Sequence, residues 1–134
     1  MKRSYIIIVA LLLILSVVWI VFSTYNKPHR DPLSEESIKI SATELFHSYE
    51  NDEAAANGLY LDKVLEISGK ISEITTNQEL IPIVALETEN PMFGIRCTME
   101  DATINSKLGD SVTIKGICTG YLSDVIIIKA ILVK

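Results

Sequence analysis

The stretch DVIIIKAILV, residues 124–133, is apolar on both faces of an extended chain. Ile126, Ile128, Ala130 and Leu132 share one face, and Val125, Ile127, Ile131 and Val133 the other. β-Branched residues dominate it, so it reads as a strand. Such a strand cannot lie at the open edge of a sheet, because unpaired backbone beside apolar side chains templates aggregation. Closing the sheet into a barrel removes the edge. One face of the strand then fills the barrel, and the other needs a cover.

Four more extended segments precede it. VLEISGKISEI (64–74) places Leu65, Ile67, Gly69 and Ile71 on one face against Glu66, Ser68, Lys70 and Ser72. IPIVALE (81–87) is a second strand, and GIRCTM (94–99) a third with Ile95, Cys97 and Met99 on one face. SVTIKGICTGY (111–121) is a fourth, with Val112, Ile114, Gly116 and Cys118 sharing a face. Glycine weakens a strand interior unless a bend or bulge requires it. Long first and fourth strands, bent at Gly69 and Gly116, are what a five-stranded barrel uses to turn its corners. Ahead of the strands, Ser41 followed by Glu44 forms a capping-box pattern. Leu45, Phe46 and Tyr49 then fall on one side, and Ala54, Ala55 and Ala56 carry the helix toward Gly58. This amphipathic helix is the expected cover for the last strand.

The chain opens differently. After Lys2 and Arg3 no charge occurs from Ser4 to Asn26. Those 23 residues would span about 34 Å as a helix, enough to cross a hydrocarbon core of about 30 Å. Tyr5 near one end, and Trp19 and Tyr25 near the other, suit the headgroup level. The alternative is a cleaved secretory signal with Val21 and Ser23 at its processing site, but the apolar run exceeds the ~7–15 residues of a signal core. No cysteine borders the segment, which excludes lipid attachment at a processed N-terminal cysteine. Lys2 and Arg3 are matched by Lys27 and Arg30, so the charge count on the two sides nearly ties. The short stub before the span favours a single-pass cell-membrane protein with its C-terminal domain extracytoplasmic.

The expected organisation is an anchor or uncleaved signal over 1–26, a linker over 27–39 and one domain over 40–134. NKPHRDPLSEES (26–37) holds two prolines and no apolar period, which marks it as a tether. All 17 acidic residues lie at or beyond Asp31, against eight lysines and arginines there, a net of −9; the first 30 residues carry +4.

Several of these residues also carry a resemblance. ISATELFHSYENDEAAANGLYLDKVLEISGKISEI, VALE, IRC and LGDSVTIKGICTGYLSDVIIIKAIL resemble the tRNA-anti-like family of bacterial OB-fold proteins, over about residues 40 to 133. The resemblance implies a mainly β fold: a five-stranded OB barrel preceded by the amphipathic helix, behind an N-terminal transmembrane helix. Members of that family are small envelope proteins with a signal, lipoprotein or membrane segment, generally without an established function. The family name refers to anticodon-binding domains of like fold, and fold alone does not license a nucleic-acid function.

The chemistry narrows the classes further. OB domains that hold single strands use a basic groove and aromatic platforms. Here acids outnumber bases about two to one, and Phe93 and Tyr121 are the only strand and loop aromatics, since Phe46, Tyr49 and Tyr60 belong to the helical region. Nucleic acid is thus a disfavoured partner. For catalysis a nucleophile needs an activating base, and the two histidines are His29 in the tether and His47 on the helix. Glu50, Asp52 and Glu53 read as a solvated helix end rather than a metal site. No phosphate-cradling loop or zinc-ligand spacing occurs, so no enzyme, cofactor or metal is expected. Cys97 and Cys118 both take inward positions; they are either a disulfide of an exported domain or two buried thiols. Third and fourth strands are not usually neighbours in an OB barrel, so a bridge would have to cross the interior.

The reading that results is a membrane-anchored, non-catalytic binding or scaffolding module. Its protein or small-molecule ligand is expected on the outward face of the second and third strands, at Glu87, Phe93, Arg96 and Thr98. The alternative is a structural or assembly protein that docks a membrane partner through an apolar outer strand or helix.

Overall fold

The computed structural model describes residues 2–25 and 31–133. The chain forms two compact units, Met1–Arg30 and Asp31–Lys134. In the first, α1 (Lys2–Tyr25) is a helix of 24 residues. Its stretch Tyr5–Tyr25 has a mean hydropathy of 3.1 and is long and apolar enough to cross a membrane; a signal sequence meets the same description. Two of its hydroxyls bond back to the helix: Ser16 donates to the Leu13 carbonyl at 2.8 Å and Thr24 to that of Ile20 at 2.7 Å. Such back-bonding is what an apolar surrounding requires.

The second unit runs β1 (Ile38–Ser41), α2 (Ala42–Asn51), α3 (Glu53–Tyr60), β2 (Val64–Thr76), β3 (Pro82–Leu86), β4 (Ile95–Met99), β5 (Ser111–Leu122) and β6 (Asp124–Val133). Strands β2 to β6 are the five expected from the sequence. They pair in the order β2-β3-β4-β6-β5, and β5 returns to β2, so the barrel is closed. The β4–β6 contact is parallel and the other barrel contacts are antiparallel. The last apolar strand therefore has a partner on each side, as its sequence demanded.

The two mid-strand glycines mark the corners. At Gly69 the long β2 changes partner: Gly69 and Lys70 pair with Val112 and Ser111 of β5, while Ile71 already pairs with Leu86 of β3. A Cβ on Gly69 would lie 3.0 Å from that of Ala42, so the glycine also lets α2 approach the strand. Gly116 faces a bulge in β6. Lys115 pairs with Ile131 and Ile117 with Ile128, so three steps of β6 answer two of β5. Lys129, with φ 50°, takes up the extra residue. The bulge corrects the expected alternation of this strand. Val125 and Ile127 point inward before it, and Ala130 after it.

The helical region also differs from the expectation of one continuous helix. Ser41 caps α2, its side chain accepting from the Glu44 amide at 3.2 Å. At Asp52 the chain leaves helical geometry (φ −155°, ψ 93°), and the Asp52 carboxylate accepts from the Ala55 amide at 3.0 Å to start α3. An aspartate is a better helix cap than helix interior, which explains the break. Glu53, in the first turn of α3, sits at its positive end.

Nor does the helix cover the outer face of β6. Ala42, Leu45, Phe46 and Tyr49 join the same buried cluster as Leu65, Ile114, Cys118 and Val125, so α2 plugs the barrel core. Instead, part of the stretch expected as linker reaches the outside of the barrel. Pro32 is buried, and Lys115, the cross-strand partner of Ile131, donates to the carbonyls of Leu33 (3.4 Å) and Glu35 (2.8 Å). Ser37 bonds Glu66, and β1 pairs in parallel with β2. Residues 31–39 are thus docked on the barrel; residues 27–30 of the expected linker, with His29, lie outside the described residues.

Candidate functional site

Alternation along β3 and β4 decides what faces outward. Pro82, Val84 and Leu86, and Ile95, Cys97 and Met99, are buried, which leaves Ala85 opposite Arg96 and Ile83 opposite Thr98 on the outside. Next to this face is a cavity of about 760 Å3, walled by β2, β3, β4 and the 87–94 connection. Glu87, Phe93 and Arg96 line it, three of the four residues picked from sequence. Thr98, farther along β4 and opposite Ile83, does not.

The connection between β3 and β4 is braced from within. Thr88 donates to the Phe93 carbonyl at 2.7 Å, and the Asn90 side chain accepts from the amides of Met92 (2.9 Å) and Phe93 (3.1 Å). These side-chain turns hold Met92 and Phe93 outward, Met92 being 79% exposed. Gly94 ends the loop where a side chain has no room, since a Cβ there would fall 2.5 Å from the Leu86 carbonyl oxygen.

Asp124, at the start of β6, organises the site, and strand phase alone could not find it. One oxygen accepts from the Gly94 amide at 2.8 Å and the other from Arg96 Nε at 2.8 Å. Glu73 of β2 adds a carboxylate 3.9 Å from Arg96 Nη2. The outward cation expected to greet a ligand is thus neutralised and fixed in place. Glu87, by contrast, offers a carboxylate with no partner among the described residues. Among the described residues the only other cation lining the cavity is Lys70, against three carboxylates from Glu73, Glu87 and Asp124. Phosphates would find little to hold here.

His47 ties the loop to the helix. Its Nε2 lies 3.0 Å from Glu89 of the 87–94 connection, and its Nδ1 4.0 Å from Glu50. The hydrogen bond to Glu89 holds the imidazolium above its ordinary pKa, with the charges of Glu89 and Glu50 adding to it and desolvation opposing it. A raised folded pKa means that the tether is complete below about pH 6.5 and is lost as pH rises through the folded value. Glu89→Gln is expected to lower the His47 pKa seen by NMR titration, and to remove the pH dependence of amide shifts in residues 88–93. Unchanged titration of His47 in that variant would show that the contact is not made in solution.

The two cysteines lie away from this face. Cys97 on β4 and Cys118 on β5 are free, fully buried thiols, and β6 runs between their strands. Burial pushes the Cys97 thiol up to about 12, which leaves it inert as a nucleophile. Cys118 Sγ lies 3.3 Å from the Tyr49 hydroxyl.

The family model tRNA_anti-like matches residues 1–132 of the chain. Among solved structures, the barrel is similar to a "putative nucleic acid-binding lipoprotein" from Klebsiella pneumoniae, with a TM-score of 0.57 and 19% identity, over 73% of this chain and 92% of that one. At that identity the likeness is one of fold. No curated protein matches the chain.

Proposed function

This chain belongs to the tRNA-anti-like family, and on that premise we propose that it is a membrane-anchored, extracytoplasmic OB-fold binding module without catalytic activity. The observation that carries the reading is the preformed cavity beside β3 and β4. There a braced loop holds Phe93 outward, Asp124 fixes Arg96, and Glu87 is left unpaired. A concave site with a few fixed polar groups is the usual form of a ligand site. The chemistry favours a protein or small-molecule ligand with a cationic or hydrogen-bond-donating group for Glu87.

The similar structure is called nucleic acid-binding, but the charge of this chain argues against carrying that over. With a net of −9 from Asp31 onward, the domain opposes counterion release. We expect no salt-dependent shift of single-stranded DNA or RNA. Micromolar binding at ~0.15 M salt that weakens steeply with added salt would reverse the ranking.

The same structure is called a lipoprotein. Here the cysteines are Cys97 and Cys118, inside the barrel, so α1 itself would be the anchor. Mature protein is then expected to stay with membranes through carbonate extraction, and a soluble species beginning near Thr24 would instead mark α1 as a cleaved signal.

A photoreactive amino acid placed at Phe93 tests the ligand face directly in cells. A crosslinked species is expected from position 93 and none from the same group at Lys63, which lies outside the cavity lining. Equal labelling at both positions would remove the face from consideration.

A further inference from the structure

A second cavity, of about 830 Å3, shares only Lys70 with the first. It exists because β6 outruns β4. The last pairing of β4 is Met99 with Ala130, whereas β6 continues through Leu132 and Val133, paired there with Ile114 and Thr113 of β5 alone. The 100–110 connection spans the gap, and the space between it and the strands is open to solvent.

The lining has an unusual division. Ser68, Thr103, Asn105, Ser106, Ser111 and Thr113 all border the cavity, and none of their side chains has a protein hydrogen-bond partner among the described residues. Below them lie Met99, Val112 and Leu132, which belong to the core or pack against it. Among the described residues the charged groups are one lysine and one aspartate, Lys70 and Asp101, which balance. Five hydroxyls and one amide supply both donors and acceptors in a neutral setting. Groups without a protein partner at an open cavity can bond a ligand in place of solvent without leaving a buried protein group unpaired.

A hydroxyl-rich rim over an apolar floor, without net charge, matches a pyranose ring, whose hydroxyls project around an edge and whose C–H groups form apolar faces. The volume falls within the ~300–1,000 Å3 range of small-molecule sites. Acidic glycans would meet the repulsion of the whole domain, and a purely apolar ligand would strand the rim. We infer that this cavity is a binding site for an uncharged saccharide, separate from the face between β3 and β4.

The test uses the full chain in lipid nanodiscs, titrated with maltotriose, cellotriose, chitotriose and mannotriose. At least one is expected to bind saturably at millimolar concentration or below, with little dependence on salt. Shifts should fall on the amides of 103–106 and 111–113. Asn105→Ala combined with Thr113→Val should weaken it about tenfold, that is about 1.4 kcal/mol, while Phe93→Ala in the other cavity leaves it unchanged. Both substituted positions are outside the buried core, and an unchanged melting temperature would show that the fold is intact. No saturable binding of any of the four sugars overturns the inference. So does binding that is insensitive to the double variant, or tighter binding of an uncharged hexapeptide.

Discussion

Valine at position 116 is expected to lower the stability of the barrel domain by about 1–3 kcal/mol, the usual cost of overpacking a core. In most strands the exchange of glycine for a β-branched residue helps, because it adds packing surface and restrains the unfolded chain. Position 116 reverses the sign. A Cβ there would stand 2.5 Å from Ile127 Cγ2, 3.0 Å from the Ile128 carbonyl oxygen and 3.2 Å from Ala130 Cα. Two of those three neighbours are backbone, held by the bulge around Lys129 and by pairing with β4. They cannot swing aside as a side chain could. At Gly69 the tightest neighbour is the Ala42 side chain at 3.0 Å. The start of α2 can shift there, so Gly69→Val should cost less. Thr113→Val, outside the core cluster in the same strand as Gly116, should stay within about 0.5 kcal/mol of the parent. Urea denaturation of a chain beginning at Asp31 measures all three. Parental stability in Gly116→Val would mean that β6 does not cross β5 in the register described.

The bulge opposite Gly116 also shows where sequence reading reaches its limit. β2 and β4 alternate apolar with polar or small residues, so their phase could be read and the outward set at Arg96 and Thr98 followed. In β6 both faces are apolar, so nothing in the pattern marks a change of phase at Lys129. β1 was invisible for a different reason. Four residues are too few to show a period, and its strand geometry comes from parallel pairing with β2, some 27 residues along the chain. The break at Asp52 was legible in principle, since an aspartate followed by Glu53 and three alanines is a cap signal. The alanines made a continuous helix look equally good.

The candidate site divides along the same line. Arg96 could be found because it lies in a strand whose phase is clear, and Glu87 and Phe93 because they stand where the second expected strand ends and the third begins. Asp124 could not, since its partner Arg96 is 28 residues away and only the parallel β4–β6 pairing brings the two together. The same holds for Lys70, which reaches both cavities from the corner of β2. Residues that depend on barrel closure for their neighbours have no local signature.

Truncation of Tyr49 is expected to have the largest effect of any single change considered. Its side chain is 1% exposed, stacked on Tyr121 with ring centres 5.7 Å apart and tilted against Tyr60 at 6.3 Å. With Ala42, Leu45 and Phe46 it is one of the contacts through which α2 closes the barrel core. Removing a large buried aromatic side chain costs about 3–5 kcal/mol, against a total of about 5–15 kcal/mol for a native domain. Tyr49→Ala should therefore remove a large fraction of the domain's stability, read as a lowered urea midpoint. Tyr49→Phe keeps the ring and loses only the hydrogen bond with Cys118, at a cost of about 1 kcal/mol or less. The phenol also makes a separate prediction about pH. Burial, with the Cys118 hydrogen bond second, raises its pKa above the ordinary tyrosine value. The stabilisation linked to the neutral phenol is then complete below the unfolded pKa of about 10 and falls away as pH rises above it. Thermal melts of parent and Tyr49→Phe at pH 8 and pH 10.5 separate these effects. The parent should lose more stability over that interval than the phenylalanine variant, because only in the parent can the unfolded state gain by ionising the hydroxyl at position 49. Equal losses would mean that the hydroxyl reaches solvent in the folded state, and that α2 does not seal the core as described.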